Sequence, residues 1–341
     1  MRVLHFYFGS DFNCRLQRAI QSDLDNGFDV VAFVNREIEN NLWIPDREKV
    51  ELKFFEYNRL WHYRVPSWCD YLNLKNFDFD LVHAHDPFCA DYALRLGFPV
   101  VFDDWEYWLE YMDFVPLRTE GVKGVPSVLL RRLRAWKLVK NLLWHVPVIV
   151  TNRNVKDHYL DLDAVSVDVV PNVPLRFERD YAFAGTCTEK PDKMFFCYIG
   201  DFDADNWSIR DTSELRNVWS RKWLGPLHVF GGKTKLSHLD LIRRMRMYDF
   251  NLLVWKKFWA HPYFLQNKAF LASAVGVPTI ISSSLLATID LLQEYAFPVD
   301  NARDIYAVVE NFSYRPFRLH PEHLWEYYES AIKNAYNQCL N

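Results

Sequence analysis

The chain has 341 residues, 50% hydrophobic and 25% charged, a balance that excludes a disordered polymer and accommodates two domains of ordinary size. A formal net charge of -4 and a pI near 6.3 give no whole-molecule attraction to polyanions, so nucleic acid is not an expected partner. Six cysteines without a CxxC pair, and an apolar run starting at Arg2 without a signal-peptide layout, predict a cytoplasmic protein.

The first 35 residues read as a βαβ unit: strand Val3–Phe8, a turn at Gly9-Ser10-Asp11, a helix to about Asn26 closed by Gly27, and strand Phe28–Val34. The next apolar run, Asp80–His83, leads into Ala84-His85-Asp86, so His83 and His85 share one side of a strand end. Two chemistries are open to this pair. With Asp103 from the following strand the imidazoles can form a metal site of a hydrolase. Alternatively, one histidine meets a substrate hydroxyl or phosphate and the other is structural.

Strand Pro99–Phe102 runs into Asp103-Asp104-Trp105-Glu106-Tyr107-Trp108, three carboxylates beside two indoles. Such groups accept hydrogen bonds from sugar hydroxyls, and one can take a proton from an acceptor alcohol; acids also suit a helix N-terminus. Arg131–Lys140 interleaves basic and apolar residues and suits either a solvated helix or an anionic lipid surface. Strands at Pro147–Thr151 and Val167–Val170 complete a first domain, 1–174, ending in Pro171-Asn172-Val173-Pro174.

Residues 175–190 lack clear periodicity and read as a linker. The strand pattern then restarts at Met194–Ile199, Leu227–Phe230, Phe250–Trp255 and Thr279–Ile281, defining a second domain, 191–318. Before the last strand, Asn267 and Lys268 open a short helix closed by Gly276 and Pro278. The first N–H groups of a helix carry partial positive charge, so this start can grip a diphosphate. The charge-free stretch Ala269–Ile289 contains Gly276, Pro278 and three serines, which argues against a membrane span. An amphipathic helix over His320–Leu340, within a terminal segment 319–341, is expected to pack back on the first domain. Aromatic residues reach 17%, with 13 tryptophans, a content that suits both sugar stacking and membrane interfaces as well as an aromatic core.

Five of these segments resemble, in order, the retaining glycosyltransferases of family 4, which have the GT-B architecture. They are Gly9-Ser10-Asp11 with Arg15 and Arg18, DLVHAHD at 80–86, VFDDWEYW at 101–108, VIVTNRNVKDHYL with VVPNVP, and FLQNKAFLASAVGVPTIIS. The resemblance implies an α/β fold of two Rossmann-like doubly wound domains facing a cleft. It also implies metal-independent transfer of a sugar, with retention, from a nucleotide-sugar to a glycan, lipid-linked or protein-linked acceptor, with no cofactor. Lys268, Asn267, Gly9, Arg210 and Lys256 are then the donor-binding candidates; Asp104, Glu106 and His85 the catalytic ones; Asp86, Trp105 and Arg15 the acceptor-binding ones. Where the family has two glutamates this chain has Tyr263 and Leu271, and Trp105 replaces a histidine. A metal-dependent hydrolase and an inert sugar-binding relative are the competing readings, and peripheral contact with an anionic membrane is a further expectation.

Overall fold

The computed structural model describes residues 1–9, 13–55, 74–111, 133–184, 194–202, 209–220, 224–231, 236–313 and 317–341. They form two compact units, Met1–Val170 with Tyr328–Asn341, and Pro171–Tyr327. Ser10, Asp11 and the basic pair Arg131-Arg132 lie outside the described residues.

Unit 1 is built on seven parallel strands: β1 Arg2–Tyr7, β2 Asp29–Asn35, β3 Val50–Phe55, β4 Leu81–Ala84, β5 Val100–Asp104, β6 Val148–Val150 and β7 Val167–Val169. Their order, β3-β2-β1-β4-β5-β6-β7, reverses its winding between β1 and β4, the position at which doubly wound sheets bind ligands. Helices cover the sheet, so Val3–Tyr7 of β1 are all buried, His5 included. Helix α1 (Cys14–Asp25) starts where Asn13 accepts the Leu16 N–H. Helix α2 (Pro87–Arg95) starts where Asp86 accepts from the Phe88 and Cys89 N–H groups, with Pro87 in the first turn, where its missing N–H costs nothing. Helix α3 (Arg153–Leu160) is capped by Asn152, and a separate helical run covers 133–143.

Unit 2 carries five parallel strands, β8 Phe196–Ile199, β9 Leu227–Phe230, β10 Phe250–Leu253, β11 Thr279–Ser282 and β12 Ala296–Val299. Their order β12-β11-β10-β8-β9 puts the winding reversal between β8 and β10. Pro298 is accommodated because β12 is an edge strand.

Two sequence expectations are corrected here. Residues read as part of a linker form α4 (Arg176–Ala184), because buried Glu178 accepts the Leu175 N–H at 2.7 Å and the His238 Nε2 at 2.6 Å. The latter ties α4 to α5 (His238–Met245). The expected helix from His320 begins only at Glu329, as α8 (Glu329–Leu340). Upstream, the Trp325 N–H bonds the Pro174 carbonyl at 2.9 Å with its indole buried, which draws the backbone off a continuous helical path. Helix α8 packs on β4 to β7 of unit 1.

Helix α6 (Asn267–Ala274) ends as the sequence predicts. Gly276 has φ +79°, the Val277 N–H reaches the Ala272 carbonyl and the Gly276 N–H that of Ser273. A side chain is strained at this φ, so Gly276→Ala is expected to lower unfolding free energy by about 1–2 kcal/mol in urea titration. An unchanged midpoint would contradict it.

Candidate functional site

In unit 2 the inward face of α6 buries Leu271, Ala272 and Val275 against Cys197 and Ile199 of β8. The same face, one turn earlier, carries Lys268 to the C-terminal end of β8. Its ammonium lies over Gly200: a methyl carbon on Gly200 would sit 3.1 Å from Lys268 Nζ and 3.6 Å from the Tyr198 hydroxyl. Gly200 has φ +141° and Gly231, ending β9, has φ +151°, and a side chain on Gly231 would run into the Gly200 carbonyl. The two strand ends thus meet through bare backbone, leaving the space above them to the lysine.

Around this point the polar groups are held in place. Trp255 donates its indole N–H to the buried Tyr198 hydroxyl at 3.1 Å, and its backbone N–H meets Ser282 Oγ at 2.7 Å, joining the ends of β8, β10 and β11. Burial raises the Tyr198 pKa, which keeps the phenol protonated. The loop before α6 is pinned by buried Thr288 of α7 (Leu286–Leu292), which accepts the Gln266 N–H at 3.0 Å and donates to the Phe264 carbonyl at 3.2 Å. Gln266 makes no side-chain cap at the α6 start, where Asn267 is half-buried. Arg210 and Lys256 are exposed near the same strand ends, and the Lys256 N–H bonds the Asp211 carbonyl. Leu271 is part of the core, so it presents no polar group to a ligand, whereas Tyr263 is half-buried.

In unit 1 the structure brings most candidates together, but in a buried network. Arg15 is 1% exposed; its Nε donates to both oxygens of Asp103, at 2.9 and 2.7 Å, and its terminal nitrogen donates to the Val170 carbonyl. His85 contacts His5 at 3.0 Å and His5 contacts Asp23 at 3.0 Å, while His83 contacts the Tyr336 hydroxyl at 2.7 Å. The rings of His83 and His85 stack with centroids 4.4 Å apart. Burial pulls the His5 pKa down and, with His83 next to it, drives that of His85 well down. Burial acts to raise the Asp103 pKa, yet the Arg15 guanidinium and the two imidazoles hold it well below the carboxylate range.

This arrangement gives these candidates internal partners. Arg15, His83, His85 and Asp103 are each at most 1% exposed inside the unit. Asp86, 4% exposed, is a cap that also accepts the Phe8 N–H at 3.1 Å, fixing the end of β1 next to Gly9, which is itself packed against the Tyr7 ring. Asp104 accepts from the Trp108 N–H and the Tyr159 hydroxyl, and burial raises its pKa to about 6. The indole N–H of Trp105 is engaged by the His85 carbonyl at 2.8 Å. Glu106 is the half-buried acid of this group.

Sequence reading missed His5, Asp23 and Tyr336. The available signal was a histidine inside the otherwise apolar strand Val3–Phe8, which needs a partner once buried. It also missed Tyr198 and Trp255, apolar by pattern but polar at their tips.

In unit 2, His261 is buried: Nε2 donates to the Ile209 carbonyl at 2.8 Å, and Nδ1 accepts the Phe258 N–H at 3.4 Å and meets the Ser284 hydroxyl at 2.7 Å. His323 donates to the Leu291 carbonyl at 2.7 Å. Burial lowers both pKa values below the ordinary 6.5. At these two imidazoles the unfolded chain therefore binds more protons than the folded one below that pH, and their contribution to stability falls as pH drops from 6.5 through the folded values. Because Asp104, with its pKa raised to about 6, acts in the opposite direction, the measurement is comparative: between pH 7.5 and 5 the melting temperature of the unaltered protein should fall relative to that of a His261→Gln/His323→Gln variant, and parallel profiles would exclude the effect.

No protein-family model matches the chain, and no curated protein matches it in sequence. Solved structures match it over almost its whole length. Staphylococcus aureus MnaA in complex with UDP aligns with a TM-score of 0.60 at 11% identity, covering 100% of this chain and 97% of that one. Anabaena HepE with UDP and glucose gives 0.58 at 11% identity, covering 99% and 95%. The α,α-trehalose 6-phosphate synthase of Burkholderia multivorans gives 0.56 at 12% identity, covering 100% and 98%. At such identities the likeness defines the fold, and the fold is GT-B: two doubly wound α/β units in tandem.

Proposed function

We propose that the protein transfers a sugar from a nucleotide-sugar donor to an acceptor hydroxyl, with the donor diphosphate held on unit 2. The observation that carries this is the Lys268 ammonium over Gly200, at the start of α6 and at the winding reversal of the sheet. Cleavage of the bond between the sugar and the diphosphate builds negative charge on the departing oxygens. Fixed cations and N–H groups stabilise that charge more than the ground state. Lys268 and the Asn267 amide are assigned to it, with Arg210 and Lys256 as outer cations and the Tyr198 hydroxyl as a proton donor supported by Trp255. The acceptor oxygen bonds the anomeric carbon, and its proton passes to the leaving phosphate, which gives retention without a metal at the diphosphate. Glu106 of unit 1 is the acid proposed to orient the acceptor, with Asp104 holding the local backbone.

UDP-sugars are the first donors to try, since UDP accompanies two of the similar structures. A panel of UDP-, GDP-, dTDP- and ADP-sugars read by thermal shift tests the reading, because a ligand of the folded state raises the melting temperature. Silence across the panel, with no nucleotide diphosphate released, would defeat it. For the acceptor, the helical run at 133–143 and its exit expose Leu133, Trp136 and Trp144, with Lys140 4.3 Å from the Trp136 ring centre. This stripe suits a lipid-linked acceptor at an anionic surface. Cosedimentation with phosphatidylserine vesicles should fall in the Trp136→Ser/Trp144→Ser variant; no binding by the unaltered protein would remove the membrane from the proposal.

A further inference from the structure

Helices α4 and α5 of unit 2 pack together through inward residues: Glu178 meets His238 at 2.6 Å, and Ala182 shares a core cluster with Ile242 and Met245. Their outward side is made of arginines laid on aromatic rings. The Arg243 guanidinium carbon is 4.2 Å from the Tyr181 ring centre, and those of Arg246 and Arg179 are 4.3 and 5.2 Å from that of Phe183. Phe177, next to Tyr181, is 36% exposed and Phe183 46%. On these two helices the exposed acids are Asp180 and Asp240 alone, so positive charge gathers here in a chain of net charge -4. A guanidinium stacked on a ring can still take a carboxylate through its planar N–H edge. Arg243 Nε is buried with no hydrogen-bond partner among the described residues, so this cation is partly desolvated before anything docks. The stacking argues against a bilayer as the occupant: Phe183 cannot enter hydrocarbon without drawing two guanidiniums after it. Arginine with tyrosine and phenylalanine, and no lysine on either helix, is instead the composition of a protein interface.

The complementary chemistry lies in unit 1, at the end of α3. Asp157, Leu160, Asp161, Asp163 and Val165 are exposed there, Leu160 by 45% and Val165 by 61%. From Asp157 to Leu175 the chain has no lysine or arginine. We propose that this acidic, aliphatic end of α3 in one copy of the chain docks on the arginine and aromatic face of α4 and α5 in a second copy. Asp157 and Asp161, one helical turn apart, take the guanidinium edges of Arg243 and Arg179, while Leu160 and Val165 lie against the exposed rings of Phe177 and Phe183. The contact is heterologous: each copy uses a different face from its partner. Every copy then keeps one unused half, and association continues as a chain or closes as a ring. The inference stands independently of the transfer reaction.

The test is sedimentation velocity of the full chain at rising concentration, up to about 100 μM, in about 50 mM and about 500 mM NaCl. At low salt the unaltered protein should sediment above its 40.7 kDa monomer mass, and at high salt it should return to it. Arg179→Glu/Arg243→Glu and Asp157→Lys/Asp161→Lys should each weaken association by about 100-fold or more, because like charges then face each other. An equimolar mixture of the two variants should form a one-to-one dimer, since one retains the acidic face and the other the basic face. If the double arginine variant does not fold, Arg179→Glu alone, at a partly exposed position, takes its place. A protein that stays monomeric, association that survives high salt or either variant, or a mixture that remains monomeric overturns the proposal. So does loss of phosphatidylserine vesicle binding in the arginine variant of an otherwise monomeric protein, which would give this face to a membrane.

Discussion

Replacement of Lys268 by alanine is expected to abolish the thermal shift produced by the best nucleotide-sugar and to lower turnover by about 10²–10³-fold, the usual cost of removing one preorganised charge stabiliser. The side chain is half-buried at a helix start, so the ligand-free protein should melt close to the unaltered one. Lys268→Arg restores the charge but not the compact ammonium that fits over Gly200, and should recover only part of the rate. If Lys268→Ala binds and turns over donor normally, the diphosphate is not held at this strand end. Gly200→Ala offers an independent check, since the added methyl would displace the same ammonium and strain the backbone.

The second large effect is on stability. Arg15→Ala removes the cation that shares both Asp103 oxygens in a site where each partner is at most 1% exposed. Stripping one member from a buried pair leaves the other charge uncompensated, at a cost of about 3–5 kcal/mol. Urea denaturation should show that loss or a failure to fold. A midpoint shift below a tenth of the unaltered value would mean the pair is solvated. The same substitution also releases the Val170 carbonyl, the last residue of the first segment of unit 1.

Much of the fold was legible in the sequence because parallel strands buried on both faces read as continuous apolar runs, as Val148–Val150 and Thr279–Ser282 do. The strands that escaped are edges: β3, with Glu51 and Lys53 alternating along it, and β12, interrupted by Pro298. Helix α4 escaped because its stabilising contact, Glu178 with His238, joins residues far apart in the chain. The candidate site divided along the same line. Lys268 and its helix were readable because a helix start and a Gly276 stop are local signals. Arg15, His85 and Asp86 were legible as polar groups, but their partners, Asp103, His5 and Phe8, lie tens of residues away, so the internal pairing was not.

Tyr336 has a consequence for biosynthesis. Its hydroxyl joins Asp23 and His83 from more than 250 residues further along the chain, so a nascent chain emerging from the ribosome presents those two groups long before their partner exists. Pro171–Tyr327, by contrast, is one uninterrupted stretch and can complete itself earlier. Translation order and folding order are therefore inverted: the unit begun first is completed last, once residues 328–341 have been made.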